Sequence, residues 1–274
     1  MNLVTTWTKL HESHSSTDLV LCVDFTETGR IEAGFPDLVK RLAYDATYWH
    51  VAPPAVAPDS GIGGAAYVRS WLEPVKESGM TVRAVMGYCV GAVYAAELVD
   101  ALAELQDAPP ELIVFDPEPT SLENVYFQFD KVFSVLSTIL SAEDIALTRE
   151  TMDRVAEEEG ITVEQYASRL FHTFRDVGHN AFIRAGLDQE YAEEMWATFS
   201  AFLSYLTYAD LIDPWDGWRR GTALSSSNPN NGLNRLRAGT DAVLVAKELC
   251  FEEGHDELLR SDEVARAVTE LLER

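Results

Sequence analysis

The sequence predicts an α/β protein in which a mainly parallel central sheet is flanked by helices. Short apolar runs alternate with amphipathic segments as far as about residue 117, and the same alternation resumes near the C-terminus. Alternation of this kind is typical of parallel sheets covered by helices. The chain has 274 residues, 47% of them hydrophobic, which suits one large core carrying an insertion.

The individual elements follow from these apolar patterns. Strands are predicted at residues 18–25, 49–56, 81–86, 111–115, 222–226 and 242–251. The second of them is weak because it contains Pro53 and Pro54. Helices are predicted at residues 34–44, 65–78, 91–105, 232–237 and 261–274.

The alternation stops between residues 118 and 213. This stretch consists of successive amphipathic helical patterns rich in Phe, Tyr, Leu and Met. We therefore expect a core formed by residues 1–117 and 214–274, with an all-helical insertion at 118–213.

Composition excludes several classes of function. The formal charge is −24, from 45 acidic and 21 basic residues, so a nucleic-acid partner is excluded. No apolar run reaches the roughly 20 residues of a membrane-spanning helix, and the N-terminus lacks the pattern of a secretory signal. We expect a cytoplasmic protein whose three cysteines, Cys22, Cys89 and Cys250, are free thiols.

A nucleophile motif lies between the predicted strand 81–86 and the predicted helix 91–105. Residues 87–91 read GYCVG, the glycine–nucleophile–glycine turn typical of the α/β-hydrolase fold. The helix N-terminus should favour the thiolate of Cys89, and the backbone N–H of Val90 should donate to an oxyanion. The alternative is that Cys89 is a small buried thiol and the glycines only allow close packing.

A cysteine nucleophile in this fold needs a histidine base and a carboxylate that orients it, in the order nucleophile, acid, histidine. Of six histidines, only His255 follows the last predicted strand and precedes the last helix. Asp116 ends the strand after the elbow helix, at the same sheet edge as Cys89. The rival acid position, residues 225–227, holds only serines, and Asp241 lies close before His255, so Asp116 is preferred.

With these residues the chain resembles the thioesterases of polyketide and nonribosomal peptide synthetases. Gly87, Tyr88 and Gly91 match the family's elbow, and His255 lies in a matching late loop. The resemblance covers nearly the whole chain and implies an α/β-hydrolase fold with a helical lid. Cys89 stands where the family usually has serine.

The resemblance also implies the partner and the remaining site residues. A second oxyanion donor is expected from Thr26 or Glu27, although the family's proline-rich sequence is absent there. Because the chain begins at Met1 without a carrier domain, a freestanding enzyme is expected. It would act on acyl groups carried by coenzyme A or by the phosphopantetheine of an acyl or peptidyl carrier protein.

An acyl group on Cys89 would remain a reactive thioester, open to water or to other nucleophiles. Hydrolysis and transfer or cyclisation therefore both stay open. No metal or organic cofactor is expected, because the histidines and cysteines lack ligand spacing. The candidates for substrate binding are Tyr88, Phe25, Phe133, Phe174 and Phe199, the last three lying in the predicted insertion.

Two other interpretations remain. Dienelactone hydrolases also use a G-Y-C-x-G elbow, but their acid follows a later strand and they have no large lid. The chain could also be a degenerate hydrolase that binds an acyl ligand without turnover.

Overall fold

A computed structural model describes residues 6–26, 32–52, 64–135, 139–186, 189–240 and 242–274. These residues form two compact units. The first unit contains the described residues up to 52, together with 64–119 and 212–274, and the second contains those of 120–211. The insertion predicted at 118–213 spans the second unit.

The first unit is built around one sheet, whose seven described strands have the order β1-β3-β2-β4-β5-β6-β7. All neighbours are parallel except β1, which pairs antiparallel with β3 at the edge. The strands are β1 (Trp7–His11), β2 (Asp18–Val23), β3 (Thr47–Val51), β4 (Thr81–Tyr88), β5 (Glu111–Phe115), β6 (Thr222–Ser225) and β7 (Lys247–Cys250).

The register of the central strands determines where the site can form. Tyr88 at the end of β4 pairs with Phe115 at the end of β5. Phe115 in turn pairs with Leu224 near the end of β6. The residues that follow these three strands therefore meet at one edge of the sheet, where ligands bind in open α/β sheets.

Helices α1–α3 and α8–α10 belong to the first unit, and α4–α7 form the second. A 3₁₀ helix, His255–Arg260, precedes α10. The α-helices are α1 (Phe35–Val39), α2 (Gly64–Ser78), α3 (Gly91–Ala103), α4 (Leu122–Val135), α5 (Ala142–Ala156), α6 (Val163–Ala185), α7 (Gln189–Ala209), α8 (Trp215–Trp218), α9 (Gly232–Arg237) and α10 (Asp262–Leu272). Among the described helices, none combines the length and the apolar character needed to cross a membrane.

Strand β4 and helix α3 form the buried centre of the first unit. The last five residues of β4 are all buried, as are nine of the residues of α3. Trp218 of α8 binds the first turn of α3, because its indole Nε1 donates to the carbonyl of Ala92 at 2.9 Å. The elbow between β4 and α3 is consequently held by rigid elements on both sides.

The sequence prediction missed one strand and misplaced the ends of others. β1 was not predicted, because only Trp7 of its five residues is buried and the apolar signal is weak. The predicted strand 242–251 is confined to Lys247–Cys250, a half-exposed edge strand. The predicted strand 49–56 is found as Thr47–Val51 and ends before the prolines; residues 53–63 lie outside the described part of the chain.

Candidate active site

Cys89 lies at the sharp turn between β4 and α3 with a backbone φ of 52°. Positive φ is costly for a residue with a side chain, and such strain is concentrated at functional sites. The turn is held by two backbone hydrogen bonds, from Cys89 N–H to the carbonyl of Phe115 at 2.9 Å and from Ala92 N–H to the carbonyl of Cys89 at 3.1 Å. Cys89 is half-buried, so its thiol is not sealed in the core.

Gly87 shows why the elbow needs glycine. A Cβ at this position would lie 2.6 Å from Cα of Ala92 and 2.8 Å from its backbone nitrogen. Helix α3 therefore packs directly on the backbone of β4, a distance that no side chain allows. This close approach places the N-terminal end of α3 beside Cys89.

Asp116 follows β5 and faces His255. Its Oδ2 lies 2.8 Å from Nδ1 of His255, a residue 139 positions later in the chain. Its Oδ1 accepts a hydrogen bond from the backbone N–H of Ser226 at 2.8 Å, and the side chain is fully buried. With Nδ1–H donating to this carboxylate, Nε2 is the nitrogen that can accept a proton.

The backbone of Asp116 is strained as well, with φ of 41°. Its N–H donates to the carbonyl of Leu224 on β6 at 3.0 Å. Backbone and side chain are therefore both tied to the end of β6. The carboxylate that faces His255 is held by the sheet and not by a flexible loop.

His255 is the first residue of the 3₁₀ helix and follows the extended Gly254. Its ring stacks on the ring of Tyr88, with centroids 4.8 Å apart and planes inclined by 20°. The hydroxyl of Tyr88 also donates to the backbone carbonyl of His255 at 2.8 Å. Tyr88, a candidate substrate-binding residue, thus contacts the candidate base with its own side chain.

The segment after β5 that carries Asp116 is called the acid loop here. Glu118 joins it to helix α9. Its carboxylate, 5% exposed as a residue, accepts from the backbone N–H of Gly232 at 2.7 Å and from Nδ2 of Asn231 at 3.2 Å. The guanidinium of Arg235 lies 3.8 Å from its second oxygen. The backbone N–H of Glu118 donates to the carbonyl of Cys89 at 3.3 Å, which links the acid loop to the elbow.

The candidate oxyanion donors are Val90 and either Thr26 or Glu27. The backbone N–H of Val90 lies at the N-terminal end of α3, where helix N–H groups have no intrahelical acceptor. Thr26 is half-buried in the segment after β2, and Glu27 lies outside the described residues. In the same segment the N–H of Phe25 donates to the side chain of Asp24 at 2.7 Å.

The candidate substrate-binding residues fall in both units. Phe25 is buried in the first unit. In the second, Phe174 and Phe199 are buried with ring centroids 4.5 Å apart, and Phe129 lies 5.7 Å from each of them. The side chain of Phe133 lies outside the described residues.

The other two cysteines differ from Cys89 in surroundings. Cys22 is fully buried on β2, and desolvation together with the charge of Asp24 raises the pKa of its thiol well above the ordinary value. Cys250 lies on the edge strand, where partial burial and the charge of Glu248 raise the pKa of its thiol. Neither thiol is therefore expected to form a thiolate readily at neutral pH.

Sequence reasoning did not find the roles of Tyr88, Glu118 and Gly232. Glu118 carries a weak signal, since an acidic residue two positions after Asp116 shares the end of β5. Its partners on α9 are more than a hundred residues away, and nothing in the sequence connects them. Asp241, which the sequence left as a less favoured acid, lies outside the described residues.

This sheet, its elbow and its flanking helices constitute an α/β-hydrolase fold. Comparison with solved structures agrees with that assignment. The Vlm2 thioesterase domain bound with a dodecadepsipeptide superposes with a TM-score of 0.53 at 15% identity, covering 98% of each chain. The NocB thioesterase domain from the nocardicin cluster gives a TM-score of 0.53 at 15% identity, covering 98% of this chain and 99% of that one.

A third similar structure, a membrane phospholipase A described as a bacterial virulence factor, has a TM-score of 0.54 at 12% identity. The match covers 97% of this chain and 81% of that one. No protein-family profile and no curated protein sequence matches the chain. At these identities the comparisons establish the fold alone.

Proposed function

We propose that this protein is a thioesterase or acyltransferase that forms a covalent acyl intermediate on Cys89. In this proposal His255 is the general base and acid, Asp116 orients it, and the N–H of Val90 donates to the oxyanion. The substrate is an acyl or peptidyl thioester on the phosphopantetheine of a carrier protein or on coenzyme A. The product would belong to the biosynthesis of a polyketide or nonribosomal peptide.

The observation that carries the proposal is the geometry at the sheet edge. Cys89 lies in a strained elbow, and the residue that pairs with His255 at 2.8 Å is Asp116, which ends the next strand. Two strained residues and a buried carboxylate–histidine pair have a structural cost that a purely packing role does not require. The position after β6, where a later acid would lie, is occupied by Ser226, which donates its backbone N–H to Asp116.

The reaction can be written in two steps. The thiolate of Cys89 attacks the carbonyl carbon of the substrate, the bond from that carbon to the carrier sulfur breaks, and His255 as imidazolium protonates the departing thiolate. His255 then removes the proton of water or of another nucleophile, which attacks the acyl-Cys89. The bond from the carbonyl carbon to Cys89 Sγ breaks and Cys89 leaves as the thiolate. The proton that His255 removed stays on its imidazole, which restores the starting thiolate–imidazolium pair.

Thioester chemistry is favoured by the cysteine itself. The acyl-Cys89 intermediate has about the same energy as the thioester that formed it, so the first step is nearly balanced. The intermediate can then be captured by water, an alcohol, an amine or a thiol. Among the structures of similar fold, the Vlm2 and NocB proteins are named as thioesterase domains, which supports the same class here.

A panel of acyl-N-acetylcysteamine thioesters tests the nucleophile. The intact protein is followed by mass spectrometry while products are identified, with Cys250→Ser as the matched control and Cys89→Ala as the inactive variant. We expect an acyl adduct in the wild type and in Cys250→Ser and none in Cys89→Ala. Free acid as the sole product would define a hydrolase, and an ester, amide or lactone would define a transferase or cyclase.

If neither small thioesters nor carrier-bound substrates give an adduct or turnover, the proposed enzymatic function is wrong, and the alternative of a protein that binds an acyl ligand without turnover is favoured. Iodoacetamide separates these cases without any substrate. A thiolate paired with His255 reacts fast at neutral pH, whereas an unactivated thiol at position 89 would react as slowly as Cys250.

A further inference from the structure

Tyr88 and His255 are joined by two different contacts. The rings stack at 4.8 Å, and the phenol hydroxyl donates to the backbone carbonyl of His255 at 2.8 Å. Tyr88 is 1% exposed and ends β4, so its own position is set by the sheet. The residue directly before the nucleophile therefore holds both the ring and the backbone of the histidine.

Each contact on His255 restricts a different movement. Asp116 binds Nδ1 at 2.8 Å and sets the rotation of the ring about the bond that attaches it to Cβ. The stacked ring of Tyr88 covers one face and blocks tilting. The hydroxyl of Tyr88 fixes the start of the 3₁₀ helix and with it the Cα from which the ring projects.

The two contacts also have different chemical requirements. Stacking needs only a ring at position 88, whereas the hydrogen bond to the carbonyl of His255 needs the hydroxyl. A phenylalanine would keep the first contact and lose the second.

We propose that Tyr88 is a positioning residue that holds His255 by ring and backbone in the place where the histidine serves Cys89. The inference rests on the proposed function, because it takes Cys89 and His255 to be the reacting pair. Tyr88 then acts on the histidine and not on the substrate.

The test compares Tyr88→Phe, which keeps the ring and loses the hydroxyl, and Tyr88→Leu, which loses both, with the wild type. All are made in a Cys250→Ser background and are read by kcat and KM for an acyl thioester and by the rate of Cys89 alkylation with iodoacetamide. In Tyr88→Leu we expect kcat to fall by about 10²-fold with KM little changed, because a misplaced base slows the chemical step and not binding. Tyr88→Phe should recover most of that loss.

Folding is controlled by the conservative variant. If Tyr88→Leu does not fold, Tyr88→Phe carries the test, because its ring fills the same space and only the bond to the carbonyl of His255 is lost. Its kcat should then fall with KM little changed. Wild-type kcat in a folded Tyr88→Leu, or in Tyr88→Phe where Tyr88→Leu does not fold, would overturn the inference.

The failure of this inference differs from the failure of the proposed function. If wild-type Cys89 already reacts as slowly as Cys250, the thiolate–imidazolium pair does not exist and the proposed function fails. If wild-type Cys89 reacts fast and the Tyr88 variants keep its kcat and KM, the pair exists and only the role of Tyr88 is wrong.

Discussion

Gly232 lies directly against the backbone of Asp116. A Cβ at position 232 would fall 2.7 Å from Cα of Asp116 and 2.9 Å from its Oδ1. Gly232 also has a φ of 55° and donates its N–H to Glu118. Helix α9 is thereby docked on the loop that presents the candidate acid.

Gly232→Ala should therefore displace Asp116 and reduce catalysis. Its matched control is Gly79→Ala, because Gly79 has a φ of 65° with nothing within 4 Å of an added Cβ. We expect both variants to lose about 1–2 kcal/mol from backbone strain, and Gly232→Ala to lose about 1–3 kcal/mol more from overpacking. Urea unfolding and kcat/KM measure the two effects, and equal losses in both variants would contradict a specific contact with Asp116.

Removing the charge of Asp116 should remove the orientation of His255. Asp116→Asn keeps the size of the side chain but presents an amide to Nδ1, which favours the wrong tautomer. We expect kcat/KM to fall by about 10²-fold or more while folding is retained. The neighbouring exposed Asp256→Asn serves as the control. A drop below tenfold for Asp116→Asn would show that another carboxylate orients the histidine.

Glu118 should contribute to stability through its hydrogen bonds more than through its ion pair. Glu118→Ala leaves the buried N–H of Gly232 without its acceptor, and we expect a loss of about 1–3 kcal/mol. Glu118→Gln keeps an acceptor oxygen and should lose less. Arg235→Gln, which removes the charged partner at 3.8 Å, should change stability by under about 1 kcal/mol because the pair is partly solvated. Unfolding curves of the three variants rank their losses in the free energy of unfolding. A loss in Arg235→Gln as large as the loss in Glu118→Ala would contradict the prediction.

Gly87→Ala should disrupt the elbow by forcing α3 away from β4. The added Cβ meets backbone atoms of Ala92 at 2.6 and 2.8 Å and the Cβ of Ala95 at 2.8 Å. We expect a clear loss of stability and loss of the Cys89 adduct. Because two of the three contacts are with backbone, Ala95→Gly should not restore either property. Full rescue by Ala95→Gly would mean that the helix can shift without cost.

Sequence patterns predicted most of this architecture because the relevant signals are local. β5 and α9 have the predicted bounds, and the bounds of β4 and α3 differ from prediction by two residues. A buried parallel strand is apolar throughout, and a buried helix repeats its apolar residues every three or four positions. β1 was missed because an edge strand exposed on one side has neither pattern.

The candidate site also combines features that are local in the sequence with contacts that are not. The sequence by itself determined the elbow at Cys89 and the chain order of Asp116 and His255, because glycine sterics and strand ends are local properties. Only the tertiary structure decided that Tyr88 stacks on His255, that Gly232 supports Asp116 and that Glu118 ties the acid loop to α9. These contacts join residues far apart in the chain, and they depend on the register and packing of elements that no local pattern encodes.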